Sequence, residues 1–373
     1  MNILIVGTAF PLRGGIAHYN ALLAQALARR HTVDTITFKR QYPSLLFPGS
    51  SQVETGSDIP ADPAPQLIDS INPWNWLSVG RLIRSRAPDL IIMKYWLPFF
   101  GPCFGTLARQ AKRGTGTRVL YICDNVIPHE HRPGDAALTR YAFRAADCFI
   151  VQSDAVEQDL LRFRPDARYR KVPHPVYSLF GTPLDRNEAR RILGIQEEKV
   201  LLFFGYVRAY KGLGVLLDAF RIVRERHAAR LLVVGEFYEG EEKYREQIRS
   251  LGIGDAVTIH ADYVPNDRVG LWFSAADAAV LPYLSATQSG IVQIAYNFDT
   301  PVIATAVGGL TEVVKERTTG LLVPPGNPQA LAAAIDTFYQ EGNAAAYSNA
   351  VREEKKHYTW DALVSAIEDL TQQ

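Results

Sequence analysis

The sequence predicts an α/β protein of two domains, each a parallel sheet covered by helices. Three observations carry that prediction. Short apolar runs of strand length, such as Leu90-Ile91-Ile92-Met93 and Arg118-Val119-Leu120-Tyr121-Ile122, alternate with segments of helical apolar spacing. The alternation starts afresh near residue 200, after the interruption Pro173-His174-Pro175. The length, 373 residues, allows two or three domains at roughly 150 residues each. Hydrophobic residues make up 47% of the chain and charged residues 21%, which excludes intrinsic disorder.

In chain order, residues 3–6 form a strand ending at Gly7. Residues 8–15 form a loop closed by Gly14 and Gly15, and Ile16, Tyr19, Leu23, Ala26 and Leu27 mark the helix that follows. Residues 32–38 are the next strand, and the Pro-, Ser- and Gly-rich residues 41–65 read as a long loop. Residues 90–92, 118–122 and 148–151 are buried strands, with a helix over 154–163. A linker is expected over 175–187. The second half then gives strands at 200–204, 231–234, 257–259, 278–281 and 301–304, and helices near 214–226 and 291–296. Trp360, Leu363, Val364, Ile367 and Leu370 share one face of a final helix. The expected domains are residues 1–178 together with 356–373, and residues 179–355. Two such domains make a cleft, and ligands of parallel sheets sit at the carboxyl ends of the strands.

Lys and Arg number 40 against 39 Asp and Glu, a formal net charge of +1, which argues against a general nucleic-acid binder. Cys103, Cys123 and Cys148 are too few and too scattered for a disulfide framework or a CxxC metal site. With no basic leader before the first strand, and no apolar stretch of roughly 18 residues, a cytoplasmic protein is expected. No His/Asp cluster has metal-binding spacing, so no metal and no cofactor are expected.

The strongest chemical signal is Gly205-Tyr206-Val207-Arg208-Ala209-Tyr210-Lys211-Gly212, between a strand and a helix. Arg208 and Lys211 are three positions apart, so the loop can aim two cations at one anion while the helix N-terminus supplies N–H donors. The natural guest is a diphosphate; the alternative is a solvated surface pair. Gly14 and Gly15 permit close approach of backbone to a ligand, or simply make a turn. Ser289 before Gly290 is a helix N-cap, with Thr287 and Gln288 just ahead of it. After strand 118–122 come Asp124 and His129, each readable as a polar contact in a site or as a turn and surface residue. Tyr263 and Val264 follow strand 257–259 and are candidates to meet a nucleobase, with core packing the equal alternative for Tyr263. Pro73-Trp74-Asn75-Trp76 and Tyr95-Trp96-Leu97-Pro98-Phe99-Phe100, with Arg81, Arg84 and Arg86 between them, would suit an anionic membrane surface or else form core.

These motifs resemble, in order and spacing and over nearly the whole chain, the retaining glycosyltransferase family 4. The resemblance rests on Gly14-Gly15-Ile16-Ala17, Pro173-His174-Pro175, Arg208 with Lys211-Gly212, Gly308-Gly309-Leu310-Thr311-Glu312 and Gly320-Leu321-Leu322-Val323-Pro324. It implies a GT-B fold of two Rossmann-like domains facing a cleft, with the C-terminal helix crossing back to the first. It implies a nucleotide-diphosphate sugar as donor, a glycan or lipid-linked acceptor, retained anomeric configuration, and peripheral contact with the inner face of a membrane. Arg208 and Lys211 match the family's diphosphate-binding pair, and Cys123-Asp124 stands where members often carry a His near the sugar, with His129 and Glu130 a few residues on. The family's two donor-contacting glutamates, separated by seven residues, are replaced here by Thr287 and Ala295. Their loss keeps open a catalytically inactive nucleotide-sugar-binding subunit as an alternative. A sugar-nucleotide epimerase is a further one, though the C-terminal loops lack the acid/base set it needs.

Overall fold

The computed structural model describes residues 1–43, 53, 62–128, 132–238, 240–340 and 344–372. The chain folds as two compact units, Met1–Pro175 with Thr359–Gln373 and Val176–Tyr358.

In the first unit, β1 (Asn2–Val6), α1 (Gly15–Ala28), β2 (Thr32–Arg40), β3 (Gln66–Asp69), α2 (Pro73–Arg86), β4 (Leu90–Tyr95), α3 (Gly101–Ala111), β5 (Arg118–Cys123), α4 (Asp135–Phe143), β6 (Cys148–Val151), α5 (Asp154–Phe163) and β7 (Tyr169–Lys171) follow one another. The seven strands lie in the order β3-β2-β1-β4-β5-β6-β7, and every pairing is parallel. Covered on both faces, the central strands are apolar nearly throughout, as parallel sheets require. All six residues of β4 are buried, Lys94 included. Most of the long loop expected over 41–65 lies outside the described residues; after it comes a strand the sequence pattern did not indicate, β3. The aromatic run that starts at the end of β4 packs into the core: Tyr95 and Phe100 are buried, and half-buried Trp96 lies 4.4 Å from Phe100, ring centre to ring centre. Trp74 stands apart at 80% exposed, at the start of α2. Asn72 caps that helix by accepting from the backbone N–H groups of Trp74 and Asn75.

The second unit runs α6 (Arg186–Leu193), β8 (Lys199–Phe204), α7 (Leu213–Arg224), β9 (Ala229–Val234), α8 (Glu241–Leu251), β10 (Val257–His260), α9 (Asn266–Ala275), β11 (Ala278–Leu281), α10 (Gly290–Asn297), β12 (Val302–Thr305), α11 (Leu310–Val313), β13 (Gly320–Val323), α12 (Pro328–Gln340) and α13 (Ala344–Glu354). Its six strands lie in the order β10-β9-β8-β11-β12-β13, again all parallel. The linker expected over 175–187 is cut short by α6, which begins at Arg186 behind an Asp185 cap.

The last helix, α14 (Trp360–Gln372), belongs to the first unit and packs on α1. Its buried face is Leu363, Val364, Ile367 and Leu370. Trp360 meets Tyr19 at 5.0 Å between ring centres, and Glu368 takes Arg30 at 3.0 Å and His31 at 2.9 Å. No helix among the described residues is long and apolar enough to cross a membrane.

Candidate functional site

In each sheet the strand order reverses beside the first strand, between β1 and β4 and between β8 and β11. Loops leaving the carboxyl ends at such a reversal diverge and leave room for a ligand. Most of the residues singled out from sequence lie on these loops.

In the second unit the loop after β8 begins at Gly205, whose φ of 96° suits glycine, and closes at Gly212, with φ 71°. Between them a single 3-10 turn, Ala209–Lys211, lifts Lys211 back over the strand end. A Cβ built on Gly205 would stand 3.1 Å from Lys211 Nζ and 3.1 Å from Ile291 Cδ1. The bare backbone of Gly205, the ammonium of Lys211 and the first turn of α10 are therefore neighbours. A Cβ on Gly212 would drive into the Pro282 carbonyl, so the loop also depends on glycine there to sit against the end of β11.

Lys211 is buried and Arg208 exposed. Burial, and then the nearby Arg208 charge, bring Lys211 down to about 8. Among the described residues neither cation has a carboxylate partner: Arg208 lies over the ring of Tyr238 at 4.7 Å, and Lys211 Nζ is 5.8 Å from the ring centre of Tyr283. Two cations beside the half-buried Gly205 and a helix start are an arrangement suited to an anion.

The loop after β11 carries Thr287, Gln288, Ser289 and Gly290, all half-buried. Ser289 is the N-cap of α10, its hydroxyl accepting from the Ile291 N–H at 3.3 Å, and Gly290 is the first helical residue. The Thr287 carbonyl accepts from the Gly309 N–H at 2.9 Å. Gly308, at φ 46°, has no room for a Cβ against the Ala286 carbonyl. The glycine pair after β12 thus fixes the Thr287 loop. Ala295 is fully buried within α10. After β10, Tyr263 is half-buried and Val264 is buried at 6% exposed.

In the first unit Gly14 takes φ 105° at the N-terminus of α1, which Gly15 opens. Asp124 follows β5, and its carboxylate accepts from Lys94 Nζ at 2.6 Å. Lys94 is 2% exposed and lies 3.3 Å from the ring centre of Tyr19. Burial lowers Lys94 from its ordinary value, and Asp124 opposes the shift. His174 stacks edgewise on Tyr19 at 5.0 Å, and burial, followed by the Lys94 charge, pushes it down to about 3. His129 lies outside the described residues. Neither Lys94 nor Tyr238 is singled out by the sequence pattern; Lys94 directly follows the apolar run Leu90-Ile91-Ile92-Met93. No group of three His, Cys, Asp or Glu side chains placed to hold a metal occurs among the described residues.

Comparison with known proteins follows the same division. A glycosyl transferase 4-like domain matches residues 14–175, and the glycosyl transferases group 1 domain matches residues 198–341. A D-inositol 3-phosphate glycosyltransferase of Acidothermus cellulolyticus is 28% identical over 389 aligned positions, covering 95% of this chain and 84% of that one. An uncharacterized glycosyltransferase of Methanocaldococcus jannaschii is 30% identical over 179 residues, covering 47% of this chain and 45% of that one. Among solved structures, sucrose-phosphate synthase from Thermosynechococcus elongatus superimposes with a TM-score of 0.77 at 21% identity, covering 100% of this chain and 99% of the other. Anabaena HepE, solved with UDP-glucose, gives a TM-score of 0.76 at 19% identity, with both chains covered completely. The chain belongs to the group 1 glycosyltransferases of family 4, and its two parallel-sheet units have the GT-B fold.

Proposed function

We propose that this protein transfers a sugar, with retained anomeric configuration, from a nucleotide-diphosphate donor to a glycan or lipid-linked acceptor. The observation that carries the reading is the pair Arg208 and Lys211 on the loop after β8, with no carboxylate partner among the described residues. Breaking the bond between the sugar C1 and the phosphate oxygen leaves negative charge on the departing diphosphate. Fixed cations aimed at that charge stabilise the transition state more than the ground state. In a retaining transfer the acceptor oxygen attacks from the leaving-group face, and the freed phosphate oxygen takes the acceptor's proton. No enzymic nucleophile is then needed. Thr287, Gln288, Ser289 and the N–H groups opening α10 are suited to sugar hydroxyls or phosphate oxygens, and Tyr263 with Val264 to the base. Asp124, held by Lys94, presents a fixed carboxylate to an acceptor hydroxyl.

Exposed Trp74 with the exposed Arg81, Arg84 and Arg86 of α2 supports peripheral contact with an anionic membrane surface from the cytoplasmic side. The alternative of a non-catalytic binding subunit draws on the missing glutamates, Thr287 and Ala295.

A panel of sugar nucleotides, UDP-glucose first, separates these readings by calorimetry and by nucleotide release with a crude lipid and glycan acceptor fraction. Release that depends on acceptor supports transfer. Tight binding without release across the panel supports the subunit, and sugar interconversion without acceptor supports an epimerase.

The pH dependence of binding is also set. With Lys211 at about 8, the free protein loses that charge as pH rises above this value. A bound diphosphate favours the ammonium, so binding above that pH takes up a proton. The Kd for UDP is expected to rise by up to about tenfold per pH unit between roughly pH 8 and 9.5. Lys211→Met should bind weakly throughout with this rise abolished; an unchanged rise assigns the titration to another group.

A further inference from the structure

Arg208 lies over the Tyr238 ring at 4.7 Å and Lys211 Nζ is 5.8 Å from the Tyr283 ring centre, whereas Lys94, Arg190 and Arg230 take the carboxylates of Asp124, Asp277 and Glu197. A carboxylate would fix Arg208 at the cost of its charge and of the N–H groups a phosphate needs. An aromatic face attracts a guanidinium through the ring quadrupole and leaves the in-plane donors open.

The ring that does this for Arg208 is itself held. The ladder between β8 and β9 continues beyond both strands: the Val207 N–H donates to the Glu236 carbonyl at 2.9 Å, and the Tyr238 N–H donates to the Val207 carbonyl at 3.2 Å. Val207 and Phe237 form a parallel bridge. Gly235, at φ 139°, lies too close to the Gly205 carbonyl for any side chain, so the two loops meet backbone to backbone. Tyr206 braces Tyr238 edge-on, with ring centres 4.9 Å apart and planes at 82°. Arg208 lies over that ring at 4.7 Å.

We propose that Tyr238 is a positioning residue for diphosphate recognition, presenting Arg208 by its π face so that charge and donors both remain available to the ligand. The proposal rests on the reading of Arg208 and Lys211 as a diphosphate site. It does not place Tyr238 in contact with the ligand.

The test is calorimetric titration with two probes, UDP and inorganic pyrophosphate, on Tyr238→Phe, Tyr238→Leu, Tyr238→Glu, Arg208→Ala and the double variant Arg208→Ala/Tyr238→Leu. Thermal unfolding serves as a fold control. Tyr238→Leu is expected to weaken both probes roughly three- to tenfold. Tyr238→Phe keeps the ring face and should match the parent. Tyr238→Glu should weaken both probes more than leucine does, because it supplies the neutralising carboxylate. On the Arg208→Ala background, Tyr238→Leu should add nothing. If Tyr238→Leu does not fold, the contrast between phenylalanine and glutamate decides. Parent-like binding by Tyr238→Leu, an additive loss in the double variant, or a loss confined to UDP overturns the proposal; the last would place Tyr238 against the base. If Arg208→Ala binds both probes like the parent, the diphosphate reading fails and takes this proposal with it. If Arg208→Ala weakens both and Tyr238→Leu neither, this proposal alone fails.

Discussion

Arg208→Ala should lower the rate of sugar transfer by about two to three decades, because losing one preorganised group that stabilises developing charge costs on the order of 2.7–4 kcal/mol. Arg208 is exposed and, among the described residues, without a carboxylate partner, so its removal breaks no ion pair and leaves no buried group unsatisfied. The unfolding midpoint should therefore stay where it is. Arg208→Lys should recover part of the rate only, since the ammonium keeps the charge but loses the planar fork of donors. Steady-state kinetics with calorimetric melting on the same samples checks both halves. A fall in rate matched by a fall in stability would contradict the account.

The largest expected effect on stability lies in the other unit. Lys94 is 2% exposed and its ammonium is held by Asp124 at 2.6 Å and by the Tyr19 ring at 3.3 Å. Asp124→Ala leaves that ammonium buried and uncompensated. Breaking a buried pair from one side typically costs about 3–5 kcal/mol. Removing both charges together, as Lys94→Met/Asp124→Asn, avoids the uncompensated charge and should recover most of the loss. Denaturant unfolding of the three proteins measures the coupling. If the double variant is no more stable than Asp124→Ala, the pair is not what holds this region, and Tyr19 with His174 and Trp360 carries it instead.

The sequence made the architecture legible wherever a strand is buried on both faces. The residues of β4, β5, β8 and β11 announce themselves as apolar runs, and they form the middle of each sheet. At the sheet edges the signal fades. β7 is Tyr169-Arg170-Lys171, half-buried or exposed throughout, and β3 has only Leu67 and Ile68 to mark it. α8 buries just Tyr244 and Ile248, too sparse a stripe to stand out among its charges. The site divides in the same way. Arg208 and Lys211 stand out as candidates because they sit within one loop, and the Ser289 cap is legible because capping is local. Lys94 and Asp124 are 30 residues apart and meet only through the β4–β5 register, in which Tyr95 pairs with Cys123. Tyr238 reaches Arg208 only because the β8 and β9 loops continue the ladder. Contacts of this kind depend on register, which a single sequence does not print.

A crystal structure with a nucleoside diphosphate soaked in tests the central claim most directly. The phosphate oxygens should lie within hydrogen-bonding distance of the Arg208 guanidinium and the Lys211 ammonium, close to the Gly205 backbone and the first turn of α10. Phosphates bound elsewhere, with both cations left facing solvent, would contradict it.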